Sequence, residues 1–331
     1  GGFTHLTFVE EQIIPDGAFP TIKSPNPEER TALEMGIDLL LKNRMDILIA
    51  NDPDADRVGV AVQHKDEAVM LNGNQIAVIC LEHLCEALHN NGKLPKNGAF
   101  IKSIVTTELF QAICDAYDRP CFNVLTGFKY IAEKIAEWEA APNGLQFIFG
   151  AEESYGYLTG TYARDKDAIS TSALICEIAL KAKLEGKTLI DKLYDLYVKY
   201  GIYFEQVISV AFSETKEGKE QMSLGMKHLR HSPPKEINSV PVVTIEDYAE
   251  LTKHCLKSGI IELISFPISD ILVYWLKDGT KVIVRPSGTE PKIKIYCSTR
   301  EKTFLSIPEG LNTCRRRCEE LTLAVKKLLL K

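Results

Sequence analysis

The chain has 331 residues, 45% of them hydrophobic and 25% charged, with a formal net charge of -6. Such a length suits two or three ordinary domains, each able to bury its own core. No apolar stretch reaches the ~20 residues of a membrane span, and the acidic balance offers no basic stripe to a nucleic-acid backbone. The expectation is therefore no membrane and no nucleic-acid partner, with any bound anion small and locally held. Nothing at the N-terminus reads as a signal peptide. The nine cysteines, among them Cys80, Cys85, Cys114, Cys176 and Cys255, form no Cys-x-x-Cys pair. Reduced thiols in a cytoplasmic protein are expected. Cys314 and Cys318, spaced i, i+4 without companion ligands, read as packing residues.

Pro27 to Lys42 reads as a helix, with Asn26 as its cap and an apolar stripe of Leu33, Ile37, Leu40 and Leu41. Next come the apolar run Ile47-Leu48-Ile49-Ala50, the loop Asn-Asp-Pro-Asp-Ala-Asp-Arg at 51–57, and a second apolar run, Val58 to Val62. Gly73 to Leu88 has helical periodicity and ends in the breaker Asn90-Asn91-Gly92, which closes a first domain at 1–94. The pattern then alternates strand Phe100 to Val105, helix Leu109 to Tyr117, strand Cys121 to Val124, helix Phe128 to Trp138 and strand Gln146 to Phe149. Alternation of this kind predicts α/β packing on a parallel sheet, with ligands at the carboxyl ends of strands. Helices over Ala168 to Leu184 and Leu189 to Tyr200 complete a second domain at 95–208. A smaller α+β domain is expected at 209–331, with strands over Ile271 to Leu276, Lys281 to Val284 and Lys292 to Cys297 and a helix over Leu311 to Leu330.

Asp52, Asp54 and Asp56 bring three carboxylates onto one short loop between strands. They repel one another unless a hard cation takes their oxygens, and oxygen ligands select Mg²⁺ or Ca²⁺ over zinc. An EF-hand is excluded, because its glycine and glutamate positions counted from Asp52 are Arg57 and Gln63. A haloacid-dehalogenase-type phosphatase loop and a solvated acidic turn stay beside the metal reading. Later in the chain, Glu152 and Ser154 in Gly-Ala-Glu-Glu-Ser-Tyr-Gly-Tyr (150–157) could both face vicinal sugar hydroxyls if that loop is extended. Arg285-Pro286-Ser287-Gly288-Thr289-Glu290-Pro291 joins two strands. Arginine can grip a phosphate through two donors, the hydroxyls add more, and Gly288 lets backbone amides close on the anion. Each of these motifs, like Thr126-Gly127-Phe128-Lys129 and Arg164-Asp165-Lys166-Asp167, reads equally as a surface turn when taken alone.

Their combination and order resemble the α-D-phosphohexomutase superfamily, in wording closest to its bacterial phosphoglucomutase/phosphomannomutase branch. The likeness runs over essentially the whole chain, starting at Pro-Asp-Gly-Ala-Phe-Pro-Thr (15–21) and Pro-Asn-Pro-Glu-Glu (25–29). It implies phosphohexomutase-type α/β domains, an incomplete domain 2 and a complete domain 3, followed by the smaller α+β domain 4. It also implies interconversion of hexose 1- and 6-phosphates through a phosphoserine and a bisphosphate intermediate. By resemblance, Asp52, Asp54 and Asp56 hold Mg²⁺ and Arg57 lies near the transferring phosphate. Glu152 and Ser154 read the sugar, and Thr126, Gly127 and Lys166 add substrate contacts, Lys166 with a further role in proton transfer. Arg285, Ser287, Gly288 and Thr289 hold the phosphate that is not being transferred.

The family's Thr-Ala-Ser-His-Asn-Pro nucleophile loop has no counterpart here; Ser24-Pro25-Asn26-Pro27 is the nearest echo, lacks the histidine, and reads as a decoy. The expectation is roughly the C-terminal three quarters of a phosphohexomutase, inactive alone. An exposed edge on domain 2 would invite self-association unless a missing N-terminal segment covers it. Two other functional classes stay open: a non-catalytic phosphosugar-binding module and a metal-dependent sugar phosphatase.

Overall fold

The computed structural model describes residues 2–288 and 290–330, and the chain divides into two compact units, Gly1–Lys199 and Tyr200–Lys331. The first unit opens with a mostly irregular segment holding the short α1 (Glu10–Ile13), followed by α2 (Arg30–Lys42). That second helix begins at Arg30 rather than Pro27. Asn26 uses its side chain to accept the Glu28 N–H (3.1 Å) and its carbonyl to accept the Glu29 N–H (3.0 Å), which makes a turn instead of a cap. Pro27 is pinned beside Gly59, where an added Cβ would meet the Pro27 carbonyl at 2.4 Å. Leu33, Ile37 and Leu40 of α2 are buried against Ala61, with Leu48 and Met70 alongside.

Three antiparallel strands follow in sequence order: β1 (Ile47–Asn51), β2 (Val58–His64) and β3 (Glu67–Leu71). The acidic loop joins β1 to β2 directly below the Asn51–Val58 pair. Helix α3 (Gly73–Asn90) starts with a reciprocal cap, Asn72 taking the Gln75 N–H and Gln75 taking the Asn72 N–H. Beyond it lie β4 (Gly98–Ser103), α4 (Glu108–Ala116), β5 (Cys121–Val124), α5 (Phe128–Ala140), β6 (Gln146–Glu152) and β7 (Gly156–Thr159). Their sheet runs β5-β4-β6-β7, parallel from β5 to β6 as the alternation predicts, with β7 turning back antiparallel on β6. Helices α6 (Ala168–Leu184) and α7 (Leu189–Tyr200) end the unit. Since α3 packs on α4, α6 and β6, the helix expected to close the first domain lies against the second domain's elements.

The second unit contains β8 (Ile202–Ala211), α8 (Lys216–His231), β9 (Glu236–Ile237), β10 (Val240–Asp247), β11 (Thr252–Cys255), β12 (Ile261–Leu263), β13 (Leu272–Leu276), β14 (Lys281–Pro286), β15 (Lys292–Glu301) and α9 (Ile307–Leu329). An antiparallel sheet runs β12-β11-β10-β13-β14-β15-β8, with β9 on β10. Strand β8 pairs with β15 along its whole length, from Ile202↔Glu301 to Ala211↔Lys292. It belongs entirely to this sheet, whereas the expected limit at 208 cuts through it. Helix α9 covers β8 and β15; Cys314 and Cys318 are fully buried there, and both are unpaired. Helix α8 has no counterpart among the predicted elements, because its buried face is only Gly218, Gly225, Met226 and Leu229 in a polar stretch. Among the described residues no helix is long and apolar enough to cross a membrane.

Candidate active site

The acidic loop folds around Asp52, which is only 5% exposed. Its Oδ1 accepts the backbone N–H groups of Asp56 (3.0 Å) and Arg57 (2.8 Å), and its Oδ2 takes Arg57 Nε at 2.7 Å. Burial pushes the Asp52 carboxyl up, and the Arg57 hydrogen bonds override it and hold the group below the ordinary aspartate value. Asp56 is raised instead, because burial and the Asp52 charge outweigh the help of Lys166, whose Nζ lies 2.7 Å from Asp56 Oδ2. Asp54 is exposed, and carboxylate oxygens of all three acids lie within 4.8 Å of one another. The set is all oxygen and compact, which fits a hard divalent cation. Arg57 and Lys166 supply the positive charge that keeps the acids together.

Arg57 is held on several sides. Besides Asp52 it meets Asp56 (3.6 Å), Glu28 (3.7 Å) and the Asn26 side chain (3.4 Å). Burial lowers its affinity for the proton, and these carboxylates more than restore it. The stretch read as a decoy thus contributes Asn26, and its neighbour Glu28, to the setting of Arg57. Neither role was visible in the sequence, since both partners lie far along the chain.

Backbone contacts tie this loop to the glutamate-serine segment. Arg57 and Gly156 form an isolated antiparallel bridge, Val58 N–H donates to the Tyr155 carbonyl (3.2 Å), and Ala168 N–H donates to the Ala55 carbonyl (3.0 Å). The condition that this segment be an extended loop is not met. Strand β6 continues through Glu152 and β7 begins at Gly156, so only 153–155 remain as a tight turn, with Tyr155 at φ 63°. Glu152 is 5% exposed and accepts the Gly127 N–H at 2.5 Å. Gly127 sits at φ 120° as the residue before α5, a conformation open to glycine. Thr126, Gly127 and Ser154 are all half-buried around this point. The Lys166 stem lies against Gly156, where an added Cβ would meet Cδ at 2.2 Å, and its Nζ lies 5.6 Å from the Phe128 ring centre. Burial works against the Lys166 charge, but Asp56 and Asp165 prevail and raise it above the ordinary lysine value.

Beneath the turn lies a polar cluster that no motif announced. Lys102 on β4 is fully buried and donates to the Thr106 carbonyl (3.1 Å) and to Glu108 (3.0 Å). Ser103 donates to Glu153 Oε2 at 3.1 Å and lies 2.8 Å from the Thr106 hydroxyl. The available signal was Lys102 itself, a charge in the middle of Ala99-Phe100-Ile101-Lys102-Ser103-Ile104-Val105. Burial of its carboxyl, then the charge of Glu152, push Glu153 up from 4.5 to about 7.

This shift has a definite sign for stability. Between those two values the folded chain keeps a proton that the unfolded chain has released, so stability falls as pH rises from about 4.5 to about 7. Allowing for the partial exposure of the residue, the expected loss is about 2 kcal/mol. Urea titrations of the first unit across this range should show the loss, and Glu153→Gln should flatten it. An unchanged slope in that variant would contradict the assignment.

In the second unit, Arg285 lies near the end of β14 and half-buried Ser287 follows it. The Ser287 N–H donates to the Lys292 carbonyl (2.8 Å), and Arg285 pairs across the strands with Lys294. Two cations directly opposite on one sheet face repel unless an anion joins them, which suits phosphate. Lys294 escaped the motif reading because it lies on the partner strand. Gly288 is exposed and an added Cβ there meets nothing within 4 Å, so packing does not require glycine at that position. Thr289 lies outside the described residues.

The family descriptions "Phosphoglucomutase/phosphomannomutase, alpha/beta/alpha domain II" and "domain III" match residues 2–65 and 72–200. A curated phosphoglucomutase of Staphylococcus aureus (strain MSSA476) is 35% identical over 311 residues, covering 94% of this chain and 55% of the relative. The same figures hold for the phosphoglucomutase of strain MRSA252. The chain spans about half the length of these relatives, less than the three quarters expected from its motifs. Among solved structures, the pp63/parafusin phosphoglucomutase of Paramecium aligns with TM-score 0.61 at 17% identity, covering 91% of this chain and 50% of that one. A phosphoglucomutase/phosphomannomutase family protein from Burkholderia thailandensis aligns with TM-score 0.59 at 16% identity, covering 95% and 53%. At such identities these two structures speak for the fold alone. The two domain matches together span more than half of the chain, and with the 35% identity to the curated phosphoglucomutase they show that the chain belongs to the α-D-phosphohexomutase superfamily, in its phosphoglucomutase/phosphomannomutase branch.

Proposed function

We propose that the chain carries the metal-holding, sugar-reading and phosphate-holding parts of a Mg²⁺-dependent phosphohexomutase that interconverts glucose or mannose 1- and 6-phosphates through a phosphoserine and a bisphosphate. The observation that carries this reading is the backbone bridge between Arg57 and Gly156, with Lys166 reaching Asp56 at 2.7 Å. It brings the metal loop and the sugar-reading turn to one place, as phosphoryl transfer to a sugar hydroxyl needs. Asp52, Asp54 and Asp56 would hold Mg²⁺, which when bound supplies charge neutralisation for the phosphoryl group in flight. Arg57, fixed by Asp52 and Glu28, adds a second positive charge there. Glu152, Ser154, Thr126 and Gly127 orient the sugar, and Lys166 offers its proton or its charge to the reacting oxygen. Arg285 and Ser287, with Gly288 and Thr289 by family likeness, hold the distal phosphate.

The 331 residues contain no Ser-His-Asn-Pro stretch, so the phosphoserine of this cycle lies outside them. Little turnover of glucose 1-phosphate by the chain alone is expected. Calorimetry tests the reading directly. The chain should bind Mg²⁺ and glucose 6-phosphate, Asp54→Asn should weaken Mg²⁺ by at least about tenfold, and Arg285→Ala should weaken the sugar phosphate to a like degree. Glucose 6-phosphate binding that ignores both Arg285→Ala and Glu152→Ala would refute it.

A further inference from the structure

We propose that Glu153 is a positioning residue which, through Ser103 and Thr106, locks the turn that presents Glu152 and Ser154. This inference rests on the sugar-reading role proposed for that turn. The turn is held from below at several points. The Glu153 carbonyl sits over Gly73, where an added Cβ would meet it at 1.9 Å, and buried Tyr157 donates to the Gly73 carbonyl at 2.9 Å. Asn74, on the same first turn of α3, accepts the Thr107 N–H at 3.0 Å. Ser103, at the end of β4, bonds the Glu153 side chain at 3.1 Å and lies 2.8 Å from Thr106, whose hydroxyl is 3.5 Å from the Ala151 carbonyl. The chain of groups therefore starts at the turn and returns to β6, the strand that carries Glu152.

When Glu153 carries a proton, it can donate to Ser103, Ser103 to Thr106, and Thr106 to the Ala151 carbonyl, so each hydroxyl donates once and accepts once. When Glu153 is ionised, Ser103 must donate to it, Thr106 turns to Ser103, and the Ala151 carbonyl loses its hydroxyl donor. The complete chain is thus the protonated one; burial and the Glu152 charge favour that form and, against the pull of the Ser103 hydroxyl, raise this carboxyl to about 7. The titratable and charged groups facing Glu153 are Glu152 from β6, Glu28 from the segment before α2 and Tyr157 from β7. Lys102 of β4 commits its charge to Glu108 of α4. Ionisation of Glu153 sets a second negative charge beside Glu152, so the turn loosens and sugar-phosphate affinity falls as pH rises through neutrality.

Two measurements on the full chain test this. Hydrogen exchange of the backbone amides at 152–156, with no ligand present, should quicken by about tenfold or more in Glu153→Ala and in the milder Ser103→Ala. Glu153→Gln, which donates but cannot ionise, should restore most of the protection. Calorimetry with glucose 6-phosphate from about pH 6 to pH 8 should show affinity declining with pH for the unsubstituted chain, and that dependence should shrink in Glu153→Gln. Unchanged exchange in both Glu153→Ala and Ser103→Ala overturns the proposal, as does a pH dependence that persists undiminished in Glu153→Gln. If the unsubstituted chain does not bind glucose 6-phosphate, the proposed function fails, and the exchange result still decides the role of Glu153.

Discussion

Lys102→Met should destabilise the first unit by about 3 kcal/mol, the lower part of the range for breaking a buried ion pair. Lys102 has no exposed surface and sits within β4 between Asn123 of β5 and Ala151 of β6. Its ammonium has two ligands, Glu108 at 3.0 Å and the Thr106 carbonyl at 3.1 Å. Methionine fills similar volume but abandons both. The cost stays near the lower limit because the Glu108 side chain is 20% exposed and lies in the first turn of α4, where a carboxylate is favoured. The double substitution Lys102→Met with Glu108→Gln should recover at least half the loss, since no uncompensated charge remains. Denaturant unfolding of the unsubstituted chain and the two variants checks both statements; a stability change below about 1 kcal/mol in the single variant would show that the pair contributes little.

Gly73→Ala should cost about as much by a different route, steric overlap with backbone. The new methyl would lie 1.9 Å from the Glu153 carbonyl oxygen, 2.8 Å from its carbon and 2.9 Å from the Tyr155 nitrogen. No rotamer change relieves three backbone atoms, so either α3 or the 153–155 turn must move by more than an ångström. A loss of about 3 kcal/mol is expected, together with loss of sugar-phosphate binding. Gly288→Ala is the matching control for stability, because nothing stands within 4 Å of a methyl there. Equal unfolding midpoints for the two variants would contradict the geometry.

Much of the first unit was legible because its chemistry is local. Three aspartates at alternating positions between two apolar runs can hardly be anything but a gathered acidic loop, and they do gather. Helices α6 and α7 fall where they were expected, α7 with one well-marked buried face and α6 as a stretch apolar on most sides. What escaped depended on partners distant in sequence. Asn26 looks like a helix cap until Gly59 and Arg57 claim the segment around it. Glu152 and Ser154 look like neighbours on an open loop until β7 returns along β6 and turns Glu152 inward toward Gly127. In the second unit, β12 is exposed along its length, and α8 is a polar stretch whose buried face holds few apolar side chains, so its period is easily passed over. Lys102 was readable as an anomaly in an apolar run, but its purpose needs Glu108 and the turn above it.

The bridge between Arg57 and Gly156, with the Ala55 to Ala168 bond beside it, has a consequence for how this protein can vary. Three loops, 52–57, 153–156 and 165–168, share one network of backbone hydrogen bonds and so share one set of lengths. A residue inserted into any of them shifts the donors and acceptors that the other two must meet, and with them the distance from the carboxylates of the acidic loop to Glu152 and Ser154. Loop lengths here can change only together.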